Sequence, residues 1–203
     1  MKKNYKTLLI IFACSLLLGC TNNKKQNKIS NVDNMEEIYG INKEFAHPRA
    51  IELVPEEFFW SNYDELAPFG SDEGDMALAE YRDWRKDNPN SSIMECLIWT
   101  IESVGEMKFQ NYNKQLLMES TLLKQIEDPT FDEQQYIFTL DISVIGTGFG
   151  QLVDEGEIEK EAKPTISIAI NRLIKWSELH SDGEHSKQFI ENLQILNRIL
   201  REA

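Results

Sequence analysis

The sequence predicts a mainly α protein: a single compact multi-helix domain behind a flexible, lipid-bearing tether. Three observations carry this. Apolar residues recur at three- and four-residue intervals in successive segments of the chain. Most of these segments are bracketed by proline, glycine or helix-capping residues. Of three cysteines, two fall in or at the end of the leader, so only Cys96 remains and the fold must rest on packing rather than disulfides.

The leader comes first. Lys2, Lys3 and Lys6 precede an apolar run from Thr7 to Leu18, too short to span a bilayer as a mature helix. The run closes on Leu17-Leu18-Gly19-Cys20, the pattern of a bacterial lipoprotein signal. Residues 1–19 are read as the signal peptide, with cleavage after Gly19 and lipidation at Cys20. Several acyl chains of the palmitate type hold a protein firmly, where one would not. Thr21 rather than aspartate follows the cysteine, which favours an outer-membrane address facing the periplasm over the inner membrane. Residues 20–34 are polar and basic, with Lys24, Lys25 and Lys28, and read as a tether. Residues 35–203 have the size of one domain.

Within that domain, residues 35–70 read as short helical turns around Pro48 and Pro55, with an aromatic cluster at Phe58, Phe59 and Trp60. Ser71-Asp72-Glu73-Gly74-Asp75 crowds cap residues and acids before a helix carrying Leu78, Tyr81, Trp84 and Arg85 and ending near Asn88, ahead of Pro89. Ser91 or Ser92 opens the next helix, with the stripe Ile93, Leu97, Ile101 and Val104, and Cys96 beside it as a buried small hydrophobe. A further helix is predicted from Asn113 to Glu127. Residues 136–150 admit two readings. Their β-branched and aromatic content favours a strand. The Asp132–Gln135 capping box and the spacing of Phe138, Ile142, Ile145, Phe149 and Leu152 favour a long buried helix, which is the reading adopted. Pro164 opens a helix with Ile166, Ile170, Leu173 and Trp176 inward, and a last helix runs from Glu184 to Arg201.

Charge bounds function. The full chain carries 21 basic and 34 acidic residues, a formal net charge of −13. Every acid lies after residue 28, while six lysines lie before Ile29, so the body carries −19. Such a body repels nucleic acid and an anionic membrane, and attracts a basic protein. The membrane is therefore expected as a partner only through the N-terminal lipid.

Chemistry-bearing patterns are sparse. Asp72, Glu73 and Asp75 do not have the spacing of a calcium loop and suit helix capping or a basic partner. His180-Ser181-Asp182-Gly183-Glu184-His185 lacks the spacing of a zinc helix. His47 has no nucleophile near it in sequence. Gly146-Thr147-Gly148-Phe149-Gly150 lacks the sixth-position glycine of a dinucleotide loop, and close helix packing explains it. Tyr81, Arg82, Trp84 and Arg85 form an aromatic and basic helix face, expected to tie its arginines to the acidic body. No cofactor and no metal site are expected, and no catalytic residue is assigned.

The blocks His47-Pro48-Arg49-Ala50, Phe58-Phe59-Trp60, Glu65 to Asp75 and Tyr81-Arg82-Asp83-Trp84-Arg85 together resemble the YfeS-like family, and the likeness extends through Phe131 to Pro164. That is an uncharacterised bacterial group, some of whose members carry a WGR module. The resemblance implies no activity. The chain has no Trp-Gly-Arg tripeptide, so no WGR function is implied. Its leader departs from what is expected of the family's cytoplasmic members.

The functional expectation is a non-enzymatic, membrane-anchored acidic domain that binds protein. Its candidate contact surface is Phe59, Trp60, Asp72, Glu73, Asp75, Arg82 and Arg85. The alternatives are an immunity-type protein that blocks a basic toxin by charge complementarity, and a metal-dependent hydrolase using Asp72, Glu73, Asp75 or the His180–His185 loop.

Overall fold

Helix α5, Glu133–Glu155, is the element around which the rest is arranged. Every residue from Leu140 to Val153 is buried, so the helix is enclosed on all sides. A helix with no solvent face needs no polar stripe, which is why its sequence also reads as a strand. It is long and apolar enough to cross a membrane, but 83% of that stretch is buried inside the domain, as in a soluble core helix. The computed structural model describes residues 40–128, 131, 133–180 and 183–203. Cys20, the signal, the tether and Asp132 of the capping box lie outside the described residues.

The other helices are α1 (Pro48–Leu53), α2 (Asp72–Asp87), α3 (Ile93–Val104), α4 (Glu119–Glu127), α6 (Lys163–His180) and α7 (Glu184–Glu202). Helices α2, α3 and α6 pack on α5, and α7 packs on α6. The chain is mainly helical, with no strand among the described residues.

Local chemistry explains the boundaries. The Ser71 side chain accepts the Gly74 N–H at 3.3 Å, and Asp72, Glu73 and Asp75 occupy the first turn of α2. Ser92 caps α3. Gly156, at φ +80°, ends α5 in the left-handed conformation that favours glycine. The imidazole of His47 occupies the space a Cβ there would take, 2.1 Å from Nδ1. His47 itself caps α1, its Nδ1 accepting the Arg49 N–H at 3.2 Å.

The glycine-rich stretch of α5 is a packing device. A Cβ at Gly146 would lie 3.0 Å from the Ala77 Cβ and the Gly74 carbonyl oxygen, and one at Gly150 would lie 2.9 Å from the Tyr81 ring. Gly148 lies on another side, against Ile166 of α6. Two glycines one turn apart therefore let α2 approach the α5 backbone, and the third admits α6.

The predicted helix from Asn113 to Glu127 is two pieces. A 3₁₀ turn covers Lys114–Leu117, capped by the Asn113 side chain; Met118 is extended, and α4 starts at Glu119. The break is pinned from outside, because Lys175 Nζ of α6 donates to the Leu117 carbonyl at 2.7 Å. It also shifts the helical register, so Leu122 is buried while Leu123 is exposed.

Candidate functional site

Phe59 and Trp60 are not contact residues. Phe59 has no exposed surface, and its ring meets Trp60, Phe69 and Phe149 edge-on at 5.0, 5.5 and 5.7 Å. Trp60 is buried, and its indole N–H donates to the Val54 carbonyl at 2.9 Å. The cluster plugs the proline-marked turns onto α5, so these rings supply core free energy instead of a binding face.

Arg82 and Arg85 are likewise spent inside the molecule. Arg82 grips Asp154 with two hydrogen bonds of 2.9 Å and donates to the Gly40 carbonyl at 2.7 Å. Arg85 Nε lies 2.7 Å from Glu155 Oε1, off the hydrogen-bond line. Its Nη1 donates to the Ser91 carbonyl at 2.6 Å, and its guanidinium sits 4.9 Å from the Trp84 ring centre. Both arginines tie α2 to the end of α5, so neither is offered to a partner.

Around Arg85 is a closed polar network. The Tyr81 hydroxyl donates to Glu155 at 2.5 Å; burial, then that carboxylate, push the phenol upward. Glu159 accepts from the Ser92 hydroxyl at 2.5 Å and the Ile93 N–H at 3.0 Å, so it lies at the positive end of α3. Burial works to raise the Glu159 pKa. The bonds from Ser92, Ile93 and Gln151, with Arg85 nearby, outweigh it and hold the carboxyl below its usual range. This network joins α2, α3 and the α5–α6 connection.

Asp72 and Asp75 are exposed and Glu73 is half-buried, with the Thr139 hydroxyl 3.4 Å from its carboxylate. The side-chain cap of α2 is Ser71; the three acids stand in its first turn, where they meet the positive end of its dipole. Among the described residues, no three His, Cys, Asp or Glu side chains converge as a metal would require. His180 stacks on Trp176 at 5.2 Å and His185 is exposed, while Ser181 and Asp182 between them lie outside the described residues.

Two further constellations stand outside the residues singled out in the sequence. The first is internal. Asp141 and Arg172 have no exposed surface, and Arg172 Nε donates to Asp141 Oδ2 at 2.5 Å. The Tyr112 hydroxyl donates to the other carboxylate oxygen at 2.5 Å, and its ring centre lies 5.5 Å from the guanidinium. Tyr136 donates to the Gly105 carbonyl beside this group. Enclosed this way, the triad has the character of a buried structural ion pair. The only hint of it in sequence is one charge in each of two apolar stretches.

The second is on the surface. Glu95, Trp99 and Glu102 occupy the face of α3 opposite Ile93, Leu97 and Ile101, at spacings of four and three residues. Trp99 is 47% exposed, and α3 holds no lysine or arginine. This face could be read from the sequence, because position 99 falls outside the apolar stripe. The exposed face of α2 has a related make-up, with Met76 64% exposed among Asp72, Glu80 and Asp83. There, however, Lys86 pairs with Asp83 at 2.9 Å.

No family model, curated protein or solved structure matches this chain.

Proposed function

We propose that this protein is a non-enzymatic, membrane-tethered acidic domain that docks a basic protein segment at the cell envelope. The observation that supports this is how the chain uses its arginines. Of six, five are bound inside the molecule: Arg49 to the Gly156 and Ala203 carbonyls, Arg82 to Asp154, Arg85 to Glu155, Arg172 to Asp141 and Arg198 to Glu56. Acids on the outer faces of α2 and α3, among them Asp72, Asp75, Glu80, Glu95 and Glu102, are exposed. These arginines are held within the molecule, the acids of these two helix faces point outward, and acids outnumber bases 34 to 15 from Ile29 onward, so the domain presents a net negative field that selects a cationic partner and speeds its approach. The tether reading rests on Cys20 and its preceding Leu17-Leu18-Gly19. The resemblance to the YfeS-like family is part of this proposal as a relationship and adds no activity.

Vesicle flotation tests both halves. Full-length lipidated protein on uncharged vesicles is expected to float and to carry a fluorescent lysine- and arginine-rich peptide with it. Cys20→Ala protein is expected to stay in the soluble fraction. Vesicles that float without the peptide would remove the docking half, and flotation of the Cys20→Ala protein would remove the tether half.

A further inference from the structure

Trp99 is the observation that needs an explanation. The other three tryptophans are engaged: Trp60 is buried and hydrogen-bonded, Trp84 lies against Arg85, and Trp176 stacks on His180. Trp99 has no ring contact or hydrogen bond among the described residues and leaves almost half of its surface in water. That is on the order of 100 Å² of aromatic surface without a cover.

Its neighbours say what would fit there. Glu95 lies one turn before it and Glu102 one turn after, both exposed and neither in an ion pair among the described residues. Glu102 gives one oxygen to the Phe109 N–H at 3.2 Å and keeps the other. The nearest lysine in sequence, Lys108, borders a shallow groove beyond the helix end, together with Glu102 and Glu106. An indole face between two carboxylates offers a lysine or arginine both a π surface and a counter-charge. A second copy of this acidic body would meet like charge on the same face.

We infer that the outer face of α3, centred on Trp99 and flanked by Glu95 and Glu102, is the docking surface for a lysine- or arginine-bearing protein segment. The inference rests on the docking function proposed above and locates it. It moves the contact away from the start of α2: Met76 offers no aromatic face, and Asp72, Glu73 and Asp75 serve the helix end.

The test is fluorescence anisotropy with the full chain and a labelled Lys/Arg-rich peptide at about 0.15 M salt, where charges more than about 8 Å apart are largely screened. Trp99→Ala is expected to weaken binding about two- to fivefold, with Trp99→Phe in between. Glu95→Gln/Glu102→Gln is expected to weaken it more than Asp72→Asn/Asp75→Asn, which removes the same charge from α2. Circular dichroism checks that each variant is folded. Normal binding by Trp99→Ala, or equal losses from the two acid pairs, would overturn the α3 assignment and leave the docking function standing. No binding by the wild-type chain or by a chain with Lys24, Lys25 and Lys28 replaced would overturn both. Binding that appears only after Lys24, Lys25 and Lys28 are replaced would mean that the chain's own segment covers the face, and would overturn the partner assignment.

Discussion

Removing either member of the buried Asp141–Arg172 pair should destabilise the domain, but with different pH dependence. Both side chains are fully enclosed and 2.5 Å apart, so each depends on the other for compensation. Asp141→Asn leaves a guanidinium whose Nη1 and Nη2 have no hydrogen-bond partner. Burial works to lower the Arg172 pKa, but Asp141 and Tyr112 outweigh it and hold it above its ordinary value. Without Asp141 the cation still cannot shed its proton near neutrality, so the cost is about 3–5 kcal/mol at any pH from 5 to 7. Arg172→Met leaves a carboxyl, which can be neutralised. Burial already pushes the Asp141 pKa up, against the pull of Arg172 and Tyr112, and loss of Arg172 leaves burial with less opposition. From an ordinary value of 3.8, keeping Asp141 protonated costs at most about 4.4 kcal/mol at pH 7 and about 1.6 kcal/mol at pH 5. The sign follows from proton binding. A carboxyl with a raised folded pKa binds more protons folded than unfolded, so stability is greatest below the unfolded pKa and declines as pH rises. Urea unfolding of wild type and both variants at pH 5 and 7 reads this out. The deficit of Arg172→Met should shrink by up to about 2.7 kcal/mol on going to pH 5, while that of Asp141→Asn, which lacks the titrating carboxyl, does not shrink. Equal deficits of Arg172→Met at the two pH values would refute the reasoning.

Other consequences are separable. Gly74→Ala should destabilise by about 1–3 kcal/mol despite its better helix propensity, because its Cβ would lie 2.2 Å from the Pro68 carbonyl oxygen; a gain in urea midpoint would contradict this. A Cβ at Gly148 would meet side-chain rather than backbone atoms, the Cδ1 and Cγ1 of Ile166 at 2.3 and 2.6 Å, so Gly148→Ala should cost less than Gly74→Ala in the same assay. Burial pushes the Cys96 thiol up to about 12, with Thr100 and Arg85 pulling back, so peptide mapping should find Cys96 unalkylated at pH 8 when folded and alkylated in denaturant. Because that folded pKa exceeds the ordinary 9.0, the contribution of Cys96 to stability is complete below about pH 9 and declines above it. Glu106 sits at φ +45°, in the left-handed region that favours glycine. Glu106→Gly should therefore stabilise by about 0.5–1 kcal/mol, and a lowered Tm would count against it.

How legible each feature is depends on how local its cause is. The ends of α2 and α3 and the glycine stop after α5 follow from caps and dipoles within a few residues, so sequence reveals them. The identity of α5 is weakly marked, because a helix enclosed by α2, α3 and α6 has no need of an amphipathic stripe. The break at Met118 is set by Lys175, far along the chain. Phe59 and Trp60 lie near acids in sequence, yet their neighbours in space are Phe69, Phe149 and Val54. Arg82 and Arg85 show the same limit: their aromatic and basic face is legible, but Asp154 and Glu155 reach them only through the crossing of α2 with α5. Asp141 and Arg172 are each visible as a charge in an apolar stretch, whereas their pairing is a fact of the α5–α6 contact. Trp99 is the reverse case, local in origin and readable from its place opposite the stripe of α3.

The most direct test of an outward-facing negative field is the salt dependence of docking. Wild-type full-length protein, titrated with a Lys/Arg-rich peptide from about 50 mM to about 300 mM salt, should lose at least about tenfold in affinity as screening shortens the reach of Glu95 and Glu102. A glutamine-substituted peptide should not bind. Affinity that is unchanged by salt, or equal for the two peptides, would contradict the account.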